Sequence, residues 1–274
     1  MIPSEPLNDL STQQAQMLAL DAWLNTPAGR YFTSREQAWI DSVVPDLFGF
    51  RAVQLGTRLV DGLKESRIPH KAYVQQGLVA SKPDGVEMIT PDCFAEFEEL
   101  PFESQSLDMI VLPHVLEFSE DPHQLLREVE RVLMPEGRVV ITGFNPMSLW
   151  GLRHAALKRW APVWPDGCEP IHLSRLKDWL KLLSCEPEFG RFGCYRPAVE
   201  SADWLRRFAW MDRVGPRSWP IFGAAYFVVA TKRVRGMRLL GAHWKLSTKR
   251  SAAAVPVAQQ SHASVNERNG KEIV

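Results

Sequence analysis

The feature that most constrains this chain is a strand, a helix and a second strand joined by short links. Leu107–Leu112 (Leu-Asp-Met-Ile-Val-Leu) is a continuous apolar run, suited to a strand covered on both faces. Asp121-Pro122 then opens a helix, with Asp as N-cap and Pro at the first helical position. Leu125, Leu126, Val129, Val132 and Leu133 give that helix one apolar face. Pro135-Glu136-Gly137 stops it, and Arg138–Gly143 (Arg-Val-Val-Ile-Thr-Gly) is the next buried strand. Strands linked this way run parallel, through a right-handed crossover.

The 274 residues are 45% hydrophobic, enough for one sizeable core. Ten Trp and thirteen Phe exclude a wholly disordered chain, because they cannot all stay in water. No run of about 18 apolar residues exists, so no transmembrane helix is expected. Met1-Ile2-Pro3-Ser4-Glu5 lacks a basic region before an apolar stretch, so no secretory signal is expected. The four cysteines lie far apart without a Cys-x-x-Cys pair, which argues against a metal site or a disulfide framework. A cytoplasmic protein is the simplest expectation.

The formal net charge of zero hides an asymmetry. Residues 92–136 carry twelve acids and two arginines, whereas residues 138–250 carry twenty Lys/Arg and eight acids. Lys232–Arg250 holds seven Lys/Arg and no acid; the asymmetry reads first as a dipolar surface that aids solubility, and otherwise as a basic patch for phosphate, RNA or anionic lipid.

Elsewhere, Ala15–Leu24 reads as a short helix, and Ser34 as the N-cap of a helix ending at Pro45. Phe50–Leu55 reads as a buried strand, Asp61–Ser66 as a weak helix, and Tyr73-Val74 and Val86–Ile89 as short strands. Leu149–Trp160 and Leu173–Leu183 (capped by Ser174) are helix candidates. Asp203–Met211 is a further one, with Trp204, Phe208 and Met211 on a side that suits a membrane surface. Glu188–Tyr195 and Ala224–Ala230 have no long crossover helix between them, so an antiparallel pair is expected.

Four separate pieces carry a family resemblance. Leu100-Pro101-Phe102, Ser106-Leu107-Asp108, Asp121-Pro122 and Arg131-Val132-Leu133-Met134-Pro135-Glu136-Gly137 resemble, in order and spacing, class I S-adenosylmethionine (SAM) methyltransferases of the type 11 group. Gly143-Phe144-Asn145-Pro146 and Gly151-Leu152-Arg153 are similar to a bacterial branch of that family. The resemblance implies an α/β fold: a Rossmann-like, seven-stranded, mostly parallel sheet with a C-terminal antiparallel hairpin and helices on both faces. It divides the chain into an N-terminal helical cap (1–47), a methyltransferase-like domain (48–235) with substrate-side insertions at 146–171 and 198–220, and a basic, then disordered tail (236–274).

SAM is the implied cofactor, at the carboxyl edge of the sheet. Gly56 would supply the tight turn after the first strand. Gln54 stands for the usual acid there, and Arg58 for the second glycine, where it either crowds the cofactor or pairs with its carboxylate. Gln75 or Gln76 would meet the ribose hydroxyls in place of the customary acid. Glu96 takes the position that edges the adenine, with Asp92 as competitor. His114 follows the fourth strand facing the cofactor, and is a candidate base or hydrogen-bond donor. Asn145, after the fifth strand, is the second catalytic candidate, as an orienter of substrate.

The expected activity is SAM-dependent methyl transfer to a small-molecule acceptor by direct displacement. The rival expectations are a non-catalytic binding protein on the same fold, and an RNA-associated protein using Lys232–Arg250.

Overall fold

The computed structural model describes residues 12–77, 89–157, 163–165, 167–199 and 201–234, which lie in one compact unit. Seven strands form one sheet: β1 (Arg51–Leu55), β2 (His70–Gln75), β3 (Cys93–Phe94), β4 (Leu107–Pro113), β5 (Leu133–Phe144), β6 (Cys185–Gly193) and β7 (Ala225–Lys232). Their order is β3-β2-β1-β4-β5-β7-β6. The first five are parallel, while β7 pairs antiparallel with both β5 and β6, as expected.

Helices cover the two faces. α1 (Thr12–Leu24) and α2 (Pro27–Val43) pack on one, with Ala52, Met109, Val111, Val140 and Val229 pointing to them. α3 (Pro122–Val132) and α5 (Leu173–Leu182) pack on the other, against Ile110, Leu112, Val139, Ile141 and Val228. Alternate residues of β4, β5 and β7 thus feed opposite cores, which is why these strands carry long apolar runs. Asp121 caps α3 by accepting from the His123 and Gln124 amides. α4 (Leu149–Leu157) follows β5, and α6 (Ala202–Arg207) and α7 (Met211–Ser218) precede β7.

Several local expectations change. Ser34 lies inside α2 and donates to Tyr31 O; the helix begins seven residues earlier, at Pro27, with Thr26 as the cap. His172, not Ser174, stands at the N-cap of α5. Asp61–Ser66 forms turns rather than a helix, because the buried Gln54 side chain organises that loop: it accepts from Gly62 N and donates to Val60 O and Thr57 O. The single helix expected at Asp203–Met211 is broken into α6 and α7. Val86–Ile89 lies outside the described residues except for Ile89, which is not in a strand, and the tail from residue 235 lies outside them altogether. The first two cations of the basic run are engaged within the fold. Lys232 is 4% exposed and pairs with Glu130 at 2.8 Å, and Arg233 reaches Glu136 and Glu188.

Candidate active site

The carboxyl ends of β1, β2 and β4 meet around Gly56. Its φ is +101°, and a Cβ there would lie 2.5 Å from Val115 Cγ2, so only glycine fits. Gln75 ends β2 with its side chain buried and its Oε1 without a hydrogen-bond partner. Gln76 Nε2 donates to Glu96 Oε2, joining the end of β2 to the loop after β3. These four residues are brought together by the parallel pairing of β1, β2 and β3, and Phe97 closes the apolar floor behind them.

α1 roofs this rim. Met17, Leu18 and Asp21 stand over Gly56, Thr57, Gln75 and Gln76, and leave a gap of about 10 Å³, close to what one water needs. Asp21 Oδ1 accepts from Thr57 Oγ1 at 2.6 Å. Burial raises the Asp21 pKa, opposed by that hydrogen bond and by the charge of Arg58. The bulk over the turn is therefore a helix of the chain itself, with Arg58 beside its carboxylate; sequence reasoning carried no signal for Asp21.

His114 and Asn145 occupy different surroundings. His114 has φ +55° and is fully buried. Its Nδ1 lies 2.9 Å from Glu117 Oε2, and its Nε2 is 3.3 Å from Glu36 Oε2, an ion-pair distance without hydrogen-bond alignment. Burial pulls the imidazole pKa down, but the two carboxylates outweigh it and raise it to about 10. Glu36 also accepts from Thr142 Oγ1, and Glu117 from the Phe144 amide, so the triad ties α2 to the ends of β4 and β5. Glu36 and Glu117 were not singled out from sequence, where an acid in a helix or loop is ordinary. Asn145 Nδ2 donates to Ile221 O at 2.7 Å and Gly223 O at 2.8 Å, and its Oδ1 accepts from Met147 N. Asp92 sits at the edge of β2, where it accepts from Tyr73 N at 2.8 Å.

The chain is 31% identical over 174 residues to the Escherichia coli K12 protein YafS, covering 62% of this chain and 67% of that one. A methyltransferase domain model matches residues 77–141. The chain belongs to the class I SAM-dependent methyltransferase family. This methyltransferase is also 36% identical over 74 residues to a malonyl-[acyl-carrier protein] O-methyltransferase of Halorhodospira halophila, a match covering 27% of this chain and 24% of that one. Its fold matches a SAM-dependent methyltransferase of Thermotoga maritima with a TM-score of 0.50 at 15% identity, over 73% of this chain and 89% of the other.

The donor set at the rim suits the family's cofactor. A glycine that no other residue replaces leaves the backbone open to approach, and the buried amide oxygen of Gln75 has no hydrogen-bond partner in the fold. Among the described residues, α1 leaves little space over this rim.

Proposed function

We propose that this methyltransferase transfers the SAM methyl group to a small-molecule acceptor by direct displacement. The observation that carries the reading is the convergence of Gly56, Gln75 and the Gln76–Glu96 pair at one sheet edge, at the topological position where open α/β sheets bind ligands. The cofactor, when bound, supplies an electrophilic methyl on sulfur.

The chain's own residues then bind and orient. Gly56 brings the backbone within reach of the methionine portion. Gln75 Oε1 would accept a hydrogen bond from a ribose hydroxyl, and Glu96, held by Gln76, would edge the adenine. His114 acts as a positioning residue: with both nitrogens facing carboxylates, it fixes the carboxyl ends of β4 and β5 where the acceptor side of the cleft begins. Asn145 holds the segment before β7 against the segment after β5. In-line displacement demands alignment more than proton transfer, which suits a site built from positioning groups.

Calorimetry with SAM and with its demethylated product tests the reading, on the wild type and on Asp21→Ala, in which the roof is loosened. Saturable binding in at least the loosened variant, weakened by Gln75→Ala, is expected. No heat from either protein at millimolar ligand would overturn it.

A further inference from the structure

We propose that the face beyond the carboxyl end of β5 is a docking surface for an anionic lipid bilayer; this inference stands apart from the cofactor reading. Apolar side chains of the kind a fold buries stand in solvent here: Met147 is 56% exposed, Leu149 47%, Ile221 56% and Phe222 47%. They come from two segments about 70 residues apart in sequence. Buried Asn145 brings the two segments together, since its side chain holds Ile221 O, Gly223 O and Met147 N at once. Such a grouping is unlike the scattered single apolar residues of an ordinary surface.

Charge selects the occupant. α7, which leads directly into the Ile221-Phe222 turn, exposes Arg213 and Arg217 one helical turn apart, and neither has a carboxylate partner among the described residues. Its own acid, Asp212, is taken by Arg196 at 2.8 Å. Tyr195 braces the arrangement: its hydroxyl donates to Pro220 O at 2.8 Å, and Gly215 of α7 leaves space for its ring. The result is a set of exposed apolar anchors that follows directly on a helix carrying two exposed guanidinium groups without a carboxylate partner among the described residues. That is the pairing an interfacial protein offers to acyl chains and anionic headgroups. The helix break between α6 and α7 is part of the device, because it lets α7 pack against both β6 and the Pro220–Phe222 turn.

Cosedimentation of the full chain with phosphatidylglycerol vesicles and with phosphatidylcholine vesicles tests this without any cofactor. The wild type is expected to sediment with the anionic vesicles and not with the neutral ones. Ile221→Glu with Phe222→Glu, and separately Arg213→Glu with Arg217→Glu, should each weaken anionic binding by about tenfold or more. Both keep the basic run from Lys232 onward, so loss maps to this face. Circular dichroism melting checks that each variant folds, and Phe222→Ser replaces the apolar pair if it does not. Absence of binding to anionic vesicles overturns the proposal, as does equal binding by wild type and both variants. A concentration-dependent dimer that the apolar variant disperses, without vesicle binding, would assign the face to a second copy instead.

Discussion

The Asp21 carboxylate accepts a hydrogen bond from the Thr57 hydroxyl at 2.6 Å, directly across the mouth of the glycine turn. The contact joins residues 36 apart in sequence and holds α1 over the rim that the family uses for its cofactor. We propose that closure of α1 and entry of a nucleoside compete, so that the cost of opening is deducted from ligand affinity.

Asp21→Ala removes one buried, partly charged hydrogen bond, worth about 1–2 kcal/mol. Its apparent affinity for SAM should rise by roughly tenfold, read by calorimetry. Unchanged or weaker binding would mean that α1 belongs to the bound state rather than opposing it.

Gln75→Ala deletes the orphaned acceptor without creating a new unpaired group. SAM affinity should fall by about tenfold while Tm moves little, since the wild-type oxygen satisfies nothing in the fold. Gly56→Ala behaves differently: a positive φ and a 2.5 Å approach to Val115 should cost more than about 2 kcal/mol and lower both stability and binding. Paired thermal melts and titrations separate the two behaviours.

His114 carries a pH signature. Its folded pKa, about 10, lies above the ordinary 6.5, so the imidazolium stabilises the native state fully below about pH 6.5. That contribution is lost as pH rises through the folded value. His114→Gln leaves Glu36 and Glu117 buried together without their cation and should cost about 3–5 kcal/mol at pH 7. The difference in denaturation free energy between wild type and variant should shrink from pH 6.5 to 10; a constant difference would sink the assignment.

Asn145→Ala strands two carbonyls and one amide that the side chain now satisfies. A loss of about 2–3 kcal/mol follows, or a Tm lower by roughly 5–10 °C by calorimetric scan. The same variant should also weaken any vesicle binding, because Ile221 and Met147 lose their common anchor.

Local sequence was enough for β4 and for the start of α3 at the Asp121-Pro122 cap, but α3 ends at Val132, so that Leu133 and Pro135-Glu136-Gly137, expected to complete and stop the helix, begin β5 instead. It was enough also for the antiparallel β6–β7 pair, whereas Gly56, Gln75, Gln76 and Glu96 were named only by the family resemblance. It misplaced the start of α2, because Ser34 has a capping residue's chemistry while Gly29 hides a helix. That glycine is needed where α2 turns close beneath Trp23, its Cβ position lying 2.2 Å from Trp23 O. It misread Asp61–Ser66, because the bonds that shape that loop come from Gln54 in the preceding strand.

Apolar periodicity and the Asp121 cap are short-range properties, fixed by the backbone and by neighbours in the chain. The roof of Asp21 over Thr57, the clasp of Glu36 and Glu117 on His114, and the gathering of Met147 and Ile221 by Asn145 are not. The roof, the Glu36 contact and the Asn145 bridge arise only once helices and turns are packed across the sheet, which brings together groups that no spacing rule relates. Burial then gives ordinary polar residues partners they would never select in water.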